Sequence, residues 1–205
     1  ESDRATDWTP HPHQVPPDGD WYVWLLLGGR GSGKTEAGSR YVLDHLRAYG
    51  PSARVGIGAP TYGDVRDVCA EGVSGLITIA PNEFDYSRHL SEARHERGGY
   101  VKFIGAIDPT RWNGPQWSLL WFDELALCNQ NSWEQALFGL HLGRAPRAIA
   151  TTTPKNRRFI KELSESQNTV TVNATTFDNP ALSPLVLERL QTRYGGTRLG
   201  RQELL

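Results

Sequence analysis

The chain has 205 residues, enough for one well-buried domain and little more. A formal net charge of −1 excludes a global field for nucleic acid or membrane, so any nucleic-acid partner must be met by a local patch. The two cysteines, Cys69 and Cys128, are too few for a disulfide framework or a metal cluster and suit a reducing cytoplasm, and no apolar run reaches membrane-spanning length.

Residues 1–20 are polar, rich in Pro and His, and are expected to form an extended arm across a ligand pocket. Residues 21–27 form an apolar run that predicts the first core strand. It leads into Gly28-Gly29-Arg30-Gly31-Ser32-Gly33-Lys34-Thr35, a complete G-x-x-x-x-G-K-[ST] phosphate-binding loop, and residues 35–49 then predict a helix ended by Gly50-Pro51. The context supports the match. A buried strand anchors such a loop, and the helix start points free N–H groups at an anion. Lys34 is expected to reach the β- and γ-phosphates and the Thr35 hydroxyl to sit on Mg²⁺, so the chain reads as a binder of a nucleoside triphosphate. Arg30 could contact phosphate, pair with Glu124, or be an exposed arginine.

Further strands are expected at 54–59, 100–107, 118–122, 148–152 and 169–173, and helices at 62–69, 132–142, 157–163 and 184–194. Residues 71–97 are irregular in pattern. Strands alternating with helices imply an α/β fold with a mostly parallel sheet flanked by helices, its ligands gathered at the C-terminal ends of the strands. Trp21, Trp24 and Trp121 lie in apolar runs and read as core.

Two segments complete the expected chemistry. Leu119-Leu120-Trp121-Phe122 ends in Asp123-Glu124. An acid at a strand end can hold Mg²⁺, and a second carboxylate beside it can deprotonate an attacking water. Thr151-Thr152-Thr153 closes the next strand. These hydroxyls could sense the γ-phosphate or lytic water, or merely cap the helix that follows.

Together these residues resemble the ATPase domain of tailed-bacteriophage large terminases, which package DNA into procapsids. The likeness includes residues 24–31, Ala59-Pro60-Thr61-Tyr62 with Arg66, Gly114-Pro115-Gln116, Asp123-Glu124-Leu125-Ala126, Thr151-Thr152-Thr153-Pro154 and residues 194–203. The resemblance implies a P-loop NTPase of the additional-strand catalytic-Glu (ASCE) type. On this division residues 1–20 form an arm, 21–180 the ATPase core, and 181–205 a helical segment leading toward a nuclease domain. The opening without Met and the helix-like end predict a piece of a longer protein, without nuclease activity of its own.

The resemblance also implies that Glu124 is the catalytic base, that Gln14 reads the adenine edge, and that Thr151–Thr153 couple turnover to movement. It implies ATP and Mg²⁺ as cofactors, and double-stranded DNA, a portal protein and a small terminase subunit as partners. The implied assembly is a ring, a pentamer, working in the cytoplasm of an infected bacterial host while docked on the procapsid portal. One departure is Asn113, which stands where relatives carry an arginine acting on the neighbouring subunit's ATP. Arg111 could replace it or be a solvated loop residue; Arg144 and Arg147 are other donors. Lys155, Arg157, Arg158 and Lys161, and separately Arg193, Arg198 and Arg201, could grip DNA phosphates or be ordinary solvated faces. Two alternatives remain: a helicase-like DNA-dependent ATPase, and a nucleotide-gated assembly module with little turnover.

Overall fold

The computed structural model describes residues 8–180, 182–197, 200 and 203–204. Eight strands form one sheet: β1 (Val23–Gly28), β2 (Arg54–Ala59), β3 (Phe84–Ser87), β4 (Glu92–His95), β5 (Tyr100–Gly105), β6 (Leu119–Phe122), β7 (Arg147–Thr152) and β8 (Thr169–Ala174). The helices are α1 (Lys34–Tyr49), α2 (Tyr62–Asp64), α3 (Leu76–Ile79), α4 (Gln130–Phe138), α5 (Arg158–Ser164) and α6 (Pro184–Tyr194). The strand order is β3-β4-β5-β2-β6-β7-β1-β8. From β5 to β8 every pairing is parallel, whereas β3 and β4 add an antiparallel ribbon at one edge. β7 therefore separates β1, which feeds the phosphate loop, from β6, which ends at Asp123. This is the additional-strand arrangement.

The central strands bury both faces, as parallel strands covered on each side must. Trp24, Leu26, Leu119, Trp121 and Ile149 join the apolar layer that includes Val42, Leu43 and Leu46 of α1. Val23, Leu25, Leu120, Phe122, Ala148 and Ala150 join the opposite layer with Trp112, Trp117 and Trp133. Trp21, Trp24 and Trp121 are core residues, as their apolar settings predict.

Most expected elements form with shifted ends, and three local differences have physical causes. The segment expected to be irregular, 71–97, contains α3 and the β3–β4 ribbon, whose short strands carry weak alternation. The helix expected over 132–142 begins at Gln130, where Asn129 caps it through the Asn131 N–H, and stops at Phe138. It stops there because the Gly139 carbonyl accepts the Trp117 N–H and Leu140 bridges Trp117 in parallel, pulling the chain back to the sheet. The helix expected over 62–69 changes pitch after Asp64 into a π-helical turn, Val65–Ala70.

A Cβ at Gly58 of β2 would lie 2.9 Å from both Phe122 and Trp112 rings, so this strand is narrow where the aromatic layer crosses it. Gly58→Ala should overpack that layer and cost about 1–3 kcal/mol. Thermal unfolding checks this: a fall of roughly 3–10 °C in Tm is expected, and an unchanged Tm would show the layer to be loose.

Candidate functional site

The phosphate loop connects β1 to α1, with Gly31 at φ 76° and Gly33 at φ 86°. Glycine adopts this left-handed conformation without steric cost. Every carbonyl from Gly28 to Gly33 is hydrogen-bonded within the protein. Lys34 Nζ donates to Gly28 O at 2.8 Å and Gly29 O at 2.9 Å. Thr176 Oγ1 donates to Arg30 O at 2.7 Å, and Asn179 Nδ2 to Gly31 O at 2.6 Å. His13 Nε2 donates to Ser32 O at 2.7 Å, and Gln14 Nε2 to Gly33 O at 2.9 Å. The first N–H groups of α1 are left to an incoming anion, as at any helix start. The Ser32 hydroxyl is fully buried in the loop and makes no hydrogen bond to protein. A polyphosphate fits such a cradle.

Asp123 follows β6 and is buried. Its Oδ1 accepts from Thr151 Oγ1 at 2.6 Å, and Thr35 Oγ1 lies 3.4 Å from Oδ2 and 3.5 Å from Oδ1. A hydroxyl facing a carboxylate beside a phosphate cradle is a hard-oxygen pair suited to Mg²⁺, which takes few protein ligands and completes its shell with phosphate and water. No group of three or more His, Cys, Asp or Glu is arranged for a metal among the described residues. Burial pushes the Asp123 carboxyl up to about 6; the Thr151 bond opposes this, neighbouring Glu124 adds to it, and Lys34 and Thr35 oppose it. Burial lowers the Lys34 ammonium, against the attraction of Glu124, Asp123 and Glu203.

Glu124 adopts φ 49°, ψ 47°, a conformation that costs a non-glycine residue energy and is found at functional sites. Its Oε2 accepts from Thr153 Oγ1 at 3.1 Å and Thr153 N at 3.3 Å, with Thr152 Oγ1 at 3.5 Å. Thr152 Oγ1 also accepts the Ala126 N–H at 3.2 Å, bracing the turn after the two acids. The three threonines thus serve different partners: Thr151 holds Asp123, and Thr152 and Thr153 hold Glu124 and its turn.

The structure brings Gln14, residues 28–35, Asp123, Glu124 and Thr151–Thr153 together. Gln14 is buried, its Oε1 accepting the His11 N–H at 2.9 Å while Nε2 holds the loop. Arg30 does not pair with Glu124; its guanidinium is largely exposed and lies 3.6 Å from Glu203. Arg111 is not brought to the loop of its own chain. It is exposed and lines a groove of about 520 Å³ with Arg54, His89 and Lys102. Arg144 and Arg147 sit at the N-terminal end of β7, opposite the site, where Arg147 stacks on Trp21.

Among the expected DNA-contact groups, Arg158 pairs with Glu162 and Lys161 with Glu165, while Arg157 donates to Ala126 O. Arg193 lies over Tyr194; Arg198 and Arg201 fall outside the described residues. Residues missed by sequence reasoning are His13, Thr176, Asn179 and Trp121. Only Trp121 carried a signal: two residues before Asp123, it shares that acid's face of the strand.

The family described as "Terminase large subunit, T4likevirus-type, N-terminal" matches residues 25–205. No curated protein matches. The large terminase of a thermophilic bacteriophage, in complex with ADP, superposes with a TM-score of 0.79 at 19% identity, over 95% of this chain and 52% of that one. The chain thus spans about half the length of that terminase. The large terminase ATPase domain of Thermus phage P74-26 gives a TM-score of 0.72 at 19% identity, covering 98% of this chain and 94% of that one. The packaging motor assembly of bacteriophage Phi-29 gives 0.56 at 15%, covering 90% and 64%. These likenesses carry the fold: a P-loop NTPase of additional-strand type.

The buried acid generates a prediction. With a folded pKa of about 6 against 3.8 ordinarily, the metal-free folded chain binds more protons than the unfolded chain between those values. Stability therefore falls as pH rises through that window and stays low above it. In EDTA, Asp123→Asn should gain on the order of 2–3 kcal/mol at pH 7.5, and the gain should vanish near pH 4. Denaturant unfolding at both pH values checks it; an equal effect at both would contradict the burial of a charge.

Proposed function

Because the chain belongs to the large terminase family, through its T4-like N-terminal domain, we propose that it binds and hydrolyses ATP and that this turnover drives double-stranded DNA into a procapsid. The observation that carries the reading is the meeting of three groups at one sheet edge. Lys34 rests on the loop carbonyls, Asp123 faces Thr35, and Glu124 is held beside them by Thr153.

In this reading Lys34 exchanges its loop carbonyls for β- and γ-phosphate oxygens, and Ser32 donates into the same cradle. Thr35 and Asp123 would hold Mg²⁺, which would supply neutralising charge to the phosphates. Glu124 takes a proton from water as the water oxygen bonds to the γ-phosphorus. The bond from that phosphorus to the bridging oxygen breaks, and ADP leaves with the electron pair. Thr153 holds Glu124 through Oε2, which leaves Oε1 to meet the water and ties the threonine segment to the direction of the base. Gln14 has one amide proton and one oxygen lone pair left for an adenine edge.

Arg30, exposed at the rim, and Arg111, exposed on a separate face, are the arginines proposed to reach phosphate, Arg111 from a neighbouring subunit in place of Asn113. The wider proposal follows the family: a ring, pentameric when assembled, on the portal protein, with a small terminase subunit, in the host cytoplasm. Residues 21–180 would be the ATPase core, 1–20 the arm and 181–205 a helical extension. No described helix is long and apolar enough to cross a membrane.

Steady-state ATP turnover across a wide range of protein concentration tests the reading, with Glu124→Gln beside it. The substitution should lower turnover by about 10²–10⁴-fold while ADP affinity is kept. Specific activity that climbs with concentration and falls in Arg111→Ala would support a finger from the neighbour. Binding without turnover in either protein would favour a nucleotide-gated assembly module. Turnover that survives Glu124→Gln would remove Glu124 as the base.

A further inference from the structure

The geometry points to Thr151 as a positioning residue for Asp123, its hydroxyl aimed by the indole of Trp121, so that the magnesium-binding acid is preset from inside the sheet. The inference rests on the reading that Thr35 and Asp123 hold Mg²⁺. It gives Thr151 a task apart from sensing the γ-phosphate.

Thr151 and Trp121 are both fully buried. Trp121 Nε1 lies 3.1 Å from Thr151 Oγ1. An indole N–H can only donate, so the Thr151 oxygen is the acceptor, and its single proton must be spent elsewhere. Two oxygens are within reach: Asp123 Oδ1 at 2.6 Å and the Phe122 carbonyl at 3.3 Å. The shorter bond, to the carboxylate, is the stronger kind. The chain of donation therefore runs one way, from indole to hydroxyl to carboxylate, and a bond to Oδ1 stops the carboxylate from rotating about its own axis. Outer partners of this kind commonly orient metal-ligating carboxylates.

The indole is itself fixed. In α1, Gly38 leaves the space it fills: a Cβ there would fall 2.3 Å from Trp121 Cε2 and 2.5 Å from Nε1. The helix that begins at the phosphate loop thus seats the ring that aims Thr151. Thr151 is β-branched and stiff at χ1, which keeps the hydroxyl in line.

ADP binding by isothermal titration calorimetry, in Mg²⁺ and in EDTA, tests the assignment on the whole chain. The unaltered protein should bind ADP more tightly in Mg²⁺. Thr151→Val, nearly isosteric, should lose about tenfold of that magnesium-dependent gain with its EDTA affinity unchanged, and Thr151→Ser should restore it. Trp121→Phe, which keeps an aromatic ring but removes the donor, should lose a smaller part. A full magnesium gain in Thr151→Val would overturn the proposal, as would equal losses in Mg²⁺ and EDTA, which mark a merely structural role. Should Thr151→Val fail to fold, Trp121→Phe decides: an undiminished gain overturns the proposal, and a reduced gain supports it. An unaltered protein with no magnesium gain would sink the metal-site reading itself, and this inference with it.

Discussion

The carbonyls of the phosphate loop are all turned to protein partners, and the rest of the site depends on that. Six consecutive residues, Gly28 to Gly33, have their acceptors engaged by Lys34, Thr176, Asn179, His13 and Gln14. A loop so held keeps its backbone course, with the N–H groups of Gly29, Arg30 and Ser32 also tied to protein carbonyls, so that in the proposed reading only Lys34 need change partners when phosphate binds. The partners come from two distant segments, the N-terminal arm and the connection after β8, and from Lys34 at the start of α1, directly after the loop. The C-terminal segment adds a fourth support, since Arg30 N donates to Glu203 O and Thr176 N to Leu204 O.

The inserted strand β7 supplies the other half. Its parallel register sets Ala150 beside Phe122 and Thr152 beside Leu27. One step beyond Ala150, Thr151 reaches the level of Asp123, and Thr153 clears the sheet to meet Glu124. A strand of small residues fits here because both its faces are covered, and its threonines bring hydroxyls to buried Asp123 and half-buried Glu124. Buried charges are tolerated only when fixed partners replace water. Here two carbonyls serve Lys34, hydroxyls serve Asp123, and a hydroxyl with an amide serves Glu124. The exposed pairs Arg158–Glu162 and Lys161–Glu165 carry little of this energy, being screened by solvent.

By itself, the sequence determined the chemistry that is local in the chain. The eight-residue loop, the strand ending in Asp123-Glu124 and the threonine run each declare themselves by residue type and short spacing, and the alternation of strands and helices implied a parallel sheet. What only the tertiary structure decided is who meets whom across long separations. Nothing near Arg30 in sequence says that its charge goes to Glu203 rather than Glu124, that His13 and Asn179 hold the loop, or that Thr151 and Thr153 serve different acids. The early stop of α4 is decided the same way, by Trp117 and Gly139 meeting just before β6. Periodicity records which face of an element is buried, but partner choice follows from strand order and register, and those are set by how the whole core packs.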